Sequence, residues 1–331
     1  MGMACNNHGP RKITKGFYYW KTNFKLSNFE EQKLDSFHCK TIYIRFFDID
    51  WNAATNEPAP VAISTLKQPL QNGFSFIPVI FITQDALNKL PTHEVENLAK
   101  HFTKLLYEKC VQAKIAPTEI QIDFDWTANN QAKYFQLLKF CKKQNFFKGK
   151  TLSCTIRLHQ VRATKAGVPP VDKGLLMCYN MGNLKLPGSN NSIIDAQVAE
   201  RYLDNLQDYP LPLDVALPLF SWSLLYDSQN RFIGILRYVQ EKDLCNNSLF
   251  YLRAKNMYVV NKDTLWKGYT LQRNETVRYE NSAVPELYKL AGLVAKKING
   301  PSFSLLFYHC DSAVLSKYNN YELEKIYHYF D

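Results

Sequence analysis

Asp123 and Asp125 close an apolar run, residues 118–126 (TEIQIDFDW), whose spacing alternates. Read as a strand, it sends Ile120, Ile122 and Phe124 to one face and Gln121, Asp123 and Asp125 to the other. Aspartate is rarely buried unless it is paired or working, so two of them at the tip of such a strand mark a candidate site. A strand rises about 3.3 Å per residue, which puts their Cα atoms roughly 6–7 Å apart. One negative charge there raises the pKa of its neighbour and can leave one carboxyl protonated and the other ionised near neutral pH. That division suits glycoside hydrolysis, in which one acid protonates a leaving oxygen while the other steadies a cationic centre. The competing reading pairs Asp123 with Arg45 or Arg157 in an interior salt-bridge layer.

Positioning these acids requires a frame, and the chain repeats strand-like segments: residues 16–20, 41–47, 74–82, 118–126, 151–159, 173–181, 213–222 and 302–309. Helical signals lie between most of them. Ser27 and Glu30 have capping-box spacing and open a helix to about Ser36. Further helices are predicted over 92–115, 129–144, 194–206, 284–298 and 315–330. Strands alternating with helices in this number predict an α/β protein, a (β/α)8 TIM barrel. No glycine-rich phosphate turn follows the first strand, which argues against a dinucleotide-binding sheet. Residues 1–15 read as a flexible tail and 16–331 as the barrel. Within it, residues from about 224 to 280 form a β-rich insertion between strand seven and helix seven that could overhang the mouth. A small independent domain is the competing reading for that segment.

In such barrels the site is built at the carboxyl ends of the strands. The polar residues collected there are Arg45, Asp48 and Asp50; Gln121, Asp123 and Asp125; Arg157 and His159; Tyr179 and Asn180; Trp222; and His309. In the catalytic version Asp125 is the acid, Asp123 tunes it, and Tyr179 assists. Substrate would be held by Arg45, Asp50, Trp51, Trp126, Arg157, His159, Asn180 and Trp222, with the three tryptophans stacking on sugar rings or packing against rim loops. The two DxD pairs, Asp48/Asp50 and Asp123/Asp125, also occur in metal-dependent sugar-nucleotide transferases, but no phosphate-binding turn accompanies them. His159 and His309 are single histidines, so neither a metal nor a cofactor is expected.

With 46% hydrophobic, 14% aromatic and 21% charged residues over 331 positions, the composition is that of a globular protein. The net charge of +10 comes from lysines scattered along helix faces, such as Lys142, Lys143, Lys296 and Lys297, with no RNA-binding signature; it reads as a solvated basic surface with no nucleic-acid partner expected, an acidic polymer or membrane surface being the alternative. No apolar stretch nears the roughly 20 residues of a membrane span. Cys39, Cys110, Cys141, Cys154, Cys178 and Cys310 sit singly in apolar segments and read as buried free thiols. Gly2-Met3-Ala4-Cys5, followed by Asn6-Asn7, resembles the end of a bacterial lipoprotein signal, although the charged start and apolar core of such a signal are absent. Two expectations follow: a lipid on Cys5 and a cell-envelope location, or an incidental tail cysteine on a cytoplasmic protein.

Three segments in order, IQIDFDW (120–126), MCYNMG (177–182) and DVALPLFSW (214–222), resemble an uncharacterised group of bacterial (β/α)8 proteins, many predicted to be lipoproteins. The resemblance implies a barrel and an envelope location and brings no established activity. More distantly, the layout is similar to the family-18 chitinases, glycoside hydrolases whose fourth strand carries alternating acids before a catalytic Glu and whose sixth carries Met-x-Tyr-Asp. Asp123 and Asp125 match the acids, Met177 and Tyr179 match the sixth strand, Asn180 replaces its Asp, and Thr127 stands where the Glu would be. The resemblance implies a carbohydrate at the mouth, with Asp125, Asp50 or Glu280 as substitutes for the missing proton donor. The alternative is a non-catalytic envelope lipoprotein that uses the barrel as a glycan- or protein-binding scaffold.

Overall fold

The computed structural model describes residues 11–66, 73–162, 166–188 and 190–331; Cys5 lies outside them. Eight parallel strands form a closed ring: β1 (Lys12–Tyr19), β2 (Thr41–Asn52), β3 (Ser75–Ile82), β4 (Glu119–Asp123), β5 (Thr151–Arg157), β6 (Lys173–Met177), β7 (Leu213–Pro218) and β8 (Ser302–Tyr308). Closure comes from β1, which pairs with β8 in the register Lys12↔Ser302 and with β2 in the register Gly16↔Thr41. The alternation read from the sequence becomes inside and outside. Ile120, Ile122 and Phe124 join the large apolar core between strands and helices. Inward positions such as Tyr18, Tyr43, Leu175 and Met177 fill the ring itself.

The helices clothe the ring as the caps predict. Ser27 and Glu30 close a reciprocal capping box on Asn28–Ser36. The periodic stretch near residue 100 is the helix Val95–Ala113, which buries Leu98, Phe102 and Leu106 against the strands. The predicted (β/α)8 barrel is therefore the fold, with three local differences. β1 begins at Lys12, inside the segment read as tail. β2 runs on to Asn52 and folds back as an antiparallel hairpin with Glu57–Val61, whose Pro58 and Pro60 are tolerated because that strand is an edge. The last predicted helix is two, Ser312–Leu315 and Asn320–His328, divided because Asn319 and Glu322 cap the second afresh.

The insertion after β7 is an antiparallel sheet of Ser221–Tyr226, Phe232–Leu236, Phe250–Ala254, Met257–Val260 and Thr276–Asn281. It has its own apolar cluster, including Leu225, Leu236, Leu244, Phe250, Val260 and Val277. Its first strand starts at Ser221, so Trp222 belongs to the insertion and not to the seventh barrel strand. Among the described residues no helix is long and apolar enough to cross a membrane. Cys39, Cys110, Cys141, Cys154, Cys178 and Cys310 are buried free thiols.

Candidate functional site

A cavity of about 700 Å³ opens at the carboxyl ends of the strands, between the ring and the insertion. Its aromatic wall is continuous. Tyr179 lies 5.5 Å from Tyr308 and 5.9 Å from Phe220 between ring centroids, Phe220 lies 5.3 Å from Trp222, and Tyr308 lies 5.8 Å from Trp20. Tyr238, Gln240 and Lys317 complete the rim.

The polar floor comes from β4, β5 and β6. Asp123 is 4% exposed and accepts a hydrogen bond from Thr155 Oγ1 at 2.6 Å. Burial pushes its pKa up; Arg157 and Thr155 pull it back in part, and Asp125 adds to the rise. Arg157 faces the cavity with Nε 3.8 Å from Asp125 Oδ2, too long for a hydrogen bond, and that Nε is buried without a hydrogen-bond partner among the described residues. The Tyr179 hydroxyl and His309 Nδ1 are buried and unpartnered in the same way, and burial lowers the pKa of His309. Unmade hydrogen bonds of this kind are rare in protein interiors and need an explanation.

The structure brings seven of the sequence-selected residues to this cavity: Asp123, Tyr179, Arg45, Arg157, Asn180, Trp222 and His309. Arg45 is held by Asp48, with Nε 2.7 Å from Oδ1, and its guanidinium lies over Trp20 at 5.5 Å. It is thereby committed to Asp48 and not to Asp123. Asp125 lies beyond the end of β4 with its side chain 48% exposed, so it borders Arg157 without lining the cavity.

The remaining candidates are elsewhere, each for a local reason. Asp50 accepts hydrogen bonds from Thr83 Oγ1 at 2.6 Å and the Trp51 amide at 2.8 Å. Trp51 lines a separate pocket of about 470 Å³ between the β2 hairpin and the helix Val95–Ala113. Trp126 is 1% exposed, donates Nε1–H to the Ala166 carbonyl at 2.9 Å and stacks on Tyr134. It lies two residues beyond Phe124 and follows it outward into the core, away from any sugar. His159 is exposed on the short helix Leu158–Arg162, into which β5 turns before the alternation can carry it inward. Thr127, at the position of the chitinase Glu, is exposed and bonded through its amide to Asn130 Oδ1. Glu280 is 1% exposed and ion-paired to Arg278 at 2.7 Å.

Trp20, Phe220, Tyr308 and Tyr238 were not selected from the sequence. For Trp20 the signal was present: Gly16, Tyr18 and Trp20 alternate, and Tyr18 points inward. Asp311 is the second acid on the lining; it is ion-paired to Lys21 at 2.7 Å, which helps hold its carboxyl below the usual range. Among the described residues no cluster of His, Cys, Asp or Glu could hold a metal ion. Chemically, the cavity presents ring faces to apolar surfaces and a few hydrogen-bonding groups to hydroxyls, with one acid at its floor.

No family model matches the sequence, and neither does any curated protein. Solved structures do match in shape. The spore cortex-lytic enzyme SleL of Bacillus cereus superposes with a TM-score of 0.57 at 12% identity, covering 98% of this chain and 75% of that one. The Group IV chitinase of Ostrinia furnacalis in complex with allosamidin gives 0.57 at 11% identity, covering 96% and 98%. The family-18 chitinase of Cycas revoluta in complex with (GlcNAc)3 gives 0.56 at 13%, covering 95% and 98%. At such identities the likeness is one of fold: this chain has the (β/α)8 barrel found in chitinase-type glycoside hydrolases.

Proposed function

We propose that the barrel mouth binds a carbohydrate and that this chain is a glycan-binding relative in shape of the chitinase-type barrels, without hydrolytic turnover. The observation that carries this reading is the aromatic-walled cavity in which Arg157 Nε and the Tyr179 hydroxyl are buried without hydrogen-bond partners among the described residues. Ring faces take the C–H faces of sugars, and stranded donors gain hydrogen bonds when hydroxyls arrive. Turnover is disfavoured by the acids: Asp125 lies outside the lining, Asp311 is engaged by Lys21, and Thr127 replaces the chitinase proton donor. N-acetylglucosamine oligomers are the first probes, because a neighbour in shape was crystallised with one.

The test is a glycan panel read by calorimetry for binding and by product analysis for cleavage. Binding without products supports the proposal, and the absence of binding to any member of the panel would sink it. One observation favours a second reading, hydrolysis with Asp123 as the proton donor: its carboxyl is pushed upward and faces the cavity. Cleavage lost in Asp123→Asn and retained in Asp125→Asn would establish that reading. The converse pattern would restore Asp125 as the acid.

An envelope location is part of the same proposal. If Cys5 carries a lipid, the barrel is tethered through its N-terminal tail. Radiolabelled palmitate appearing in the wild-type protein and not in Cys5→Ser checks this, and equal label in both would refute it.

A further inference from the structure

Four interactions converge on one buried carboxylate outside the cavity lining. Glu280, on the insertion strand Thr276–Asn281, accepts hydrogen bonds at Oε2 from Trp222 Nε1 at 2.7 Å, from the Ser192 amide at 2.9 Å and from the Ser192 hydroxyl. Its Oε1 faces Arg278 Nε at 2.7 Å, and both side chains are about 1% exposed. Arg278 in turn donates to the carbonyls of Leu186 at 2.7 Å and Gly188 at 2.9 Å. The segment after β6 is therefore clamped by the insertion at both Ser192 and Leu186.

That segment carries a cavity residue. Asn180 has a left-handed backbone (φ 56°) and donates its amide to the Ile193 carbonyl at 2.9 Å. Gly182 donates to the Ser192 carbonyl at 3.1 Å, and an added Cβ on Gly182 would lie 2.8 Å from Ser192 Cα. Only glycine permits that approach. Asn180 is thus set by the 192–193 backbone, which Glu280 holds at Ser192 while Asn191 donates to the Asn281 carbonyl at 2.7 Å and accepts from the Ile193 amide at 3.0 Å.

We propose that Glu280 is the positioning residue of the mouth, fixing the Trp222 platform and Asn180 together through one oxygen, with Arg278 as its buried counterion. This rests on the carbohydrate reading only for the identity of the ligand; the positioning itself is a property of the free protein. Buried ion pairs contribute little net stability compared with apolar replacements of similar volume, and one attested use is to specify a single arrangement. Here the arrangement specified is that of two ligand-facing groups on separate chain segments.

Glu280→Leu alone would strand Arg278 as an unpaired buried charge, so the test removes both charges. In the variant R278M/E280L the fold should persist at reduced stability, because both charges leave together while the Trp222 and Ser192 donors lose their acceptor. Its Trp222 signal in 5-fluorotryptophan NMR, assigned with Trp222→Phe, should move in the ligand-free protein, and affinity for an N-acetylglucosamine oligomer should fall about tenfold or more, the factor that accompanies loss of one good contact. In R278M/E280Q an acceptor oxygen returns, and both the signal and most of the affinity should recover. Ser192→Ala, which keeps the ion pair and removes one donor, should give a smaller shift of the same signal.

A Trp222 signal unmoved in R278M/E280L and in Ser192→Ala, or equal affinities in the Leu and Gln versions, overturns the positioning role. A signal that moves and recovers in a protein that binds no glycan even as wild type upholds the positioning and removes the carbohydrate reading instead.

Discussion

The two ends of the barrel interior are built from the same strands and treat their polar groups in opposite ways. At the amino end Lys173 bridges Glu119 at 2.8 Å and Asp214 at 2.6 Å; Ser153 donates to Glu119 at 2.6 Å, Tyr43 donates to it at 3.1 Å, and the Ser304 amide donates to Asp214 at 2.6 Å. Burial still pushes the Glu119 pKa upward, and Lys173 and Ser153 counter it. At the carboxyl end, one layer or two along the same strands, Arg157 Nε, the Tyr179 hydroxyl and Asp125 Oδ1 have no hydrogen-bond partner among the described residues. Completed networks rigidify; incomplete ones cost free energy until something supplies the missing groups. The amino end therefore serves the fold, while the carboxyl end keeps the unfilled hydrogen-bonding capacity that the proposed glycan would use.

Substitutions that break this contrast can be ranked by expected effect. Lys173→Met should be the most damaging, leaving two carboxylates in the barrel without a counterion at a cost of about 3–5 kcal/mol, read from denaturant unfolding. A loss of less than about 1 kcal/mol would erase the distinction between the ends. Trp222→Ala should cost about 1–3 kcal/mol in unfolding, because it removes a donor from the buried Glu280 carboxylate, and should weaken glycan binding by about 2 kcal/mol, the scale of an aromatic hot spot, measured by calorimetry.

Asp123→Asn should act more gently and with a definite pH dependence. The folded pKa of Asp123 lies above its unfolded value, so the fold disfavours its ionised form. That penalty is absent below the unfolded pKa of about 3.9, grows as pH rises toward the folded value and is complete above it. The variant should accordingly be more stable than the parent at neutral pH and equal to it in acid, as pH-resolved melting would show. Smallest of all, Tyr179→Phe removes a hydroxyl with no hydrogen-bond partner among the described residues. Stability should stay within about 0.5 kcal/mol of the parent, while affinity falls by about 0.5–1.5 kcal/mol, one net hydrogen bond.

Much of this architecture could be read from residue patterns, because a barrel interior that mixes aromatic and polar groups imposes strict alternation against an apolar outer face. That is why β4 sorted Ile120, Ile122 and Phe124 from Gln121 and Asp123 correctly. The same rule also sends Trp126 outward, and its assignment to sugar stacking gave chemical type precedence over geometry. His159 was misplaced for the opposite reason: the period changes from two to helical at Leu158, and alternation cannot be carried across that change. Trp222 reaches the mouth from an insertion strand that starts at Ser221, only two apolar residues, Leu219 and Phe220, after β7 ends at Pro218, so the sequence reads as one continuous run. The roles of Tyr238, Lys317 and Glu280 depend on contacts between distant segments, which no local pattern encodes. The Asn319–Glu322 cap, by contrast, is written in plain local spacing and divides what periodicity alone joins.

Ring closure by the first and last strands has a consequence for how the chain is made. β1 can pair with β2 early, but its other edge must wait for Ser302–Tyr308 to leave the ribosome. Through nearly the whole of synthesis the nascent barrel is an open, curling sheet with two bare edges, the state most prone to pair with a stranger. Tyr308, the centre of the aromatic wall, arrives with the strand that ends this exposure. The aromatic wall of the cavity and the protection of the sheet edges are therefore completed in a single event, so a chain cut short of β8 would lack the centre of that wall and present an adhesive edge instead.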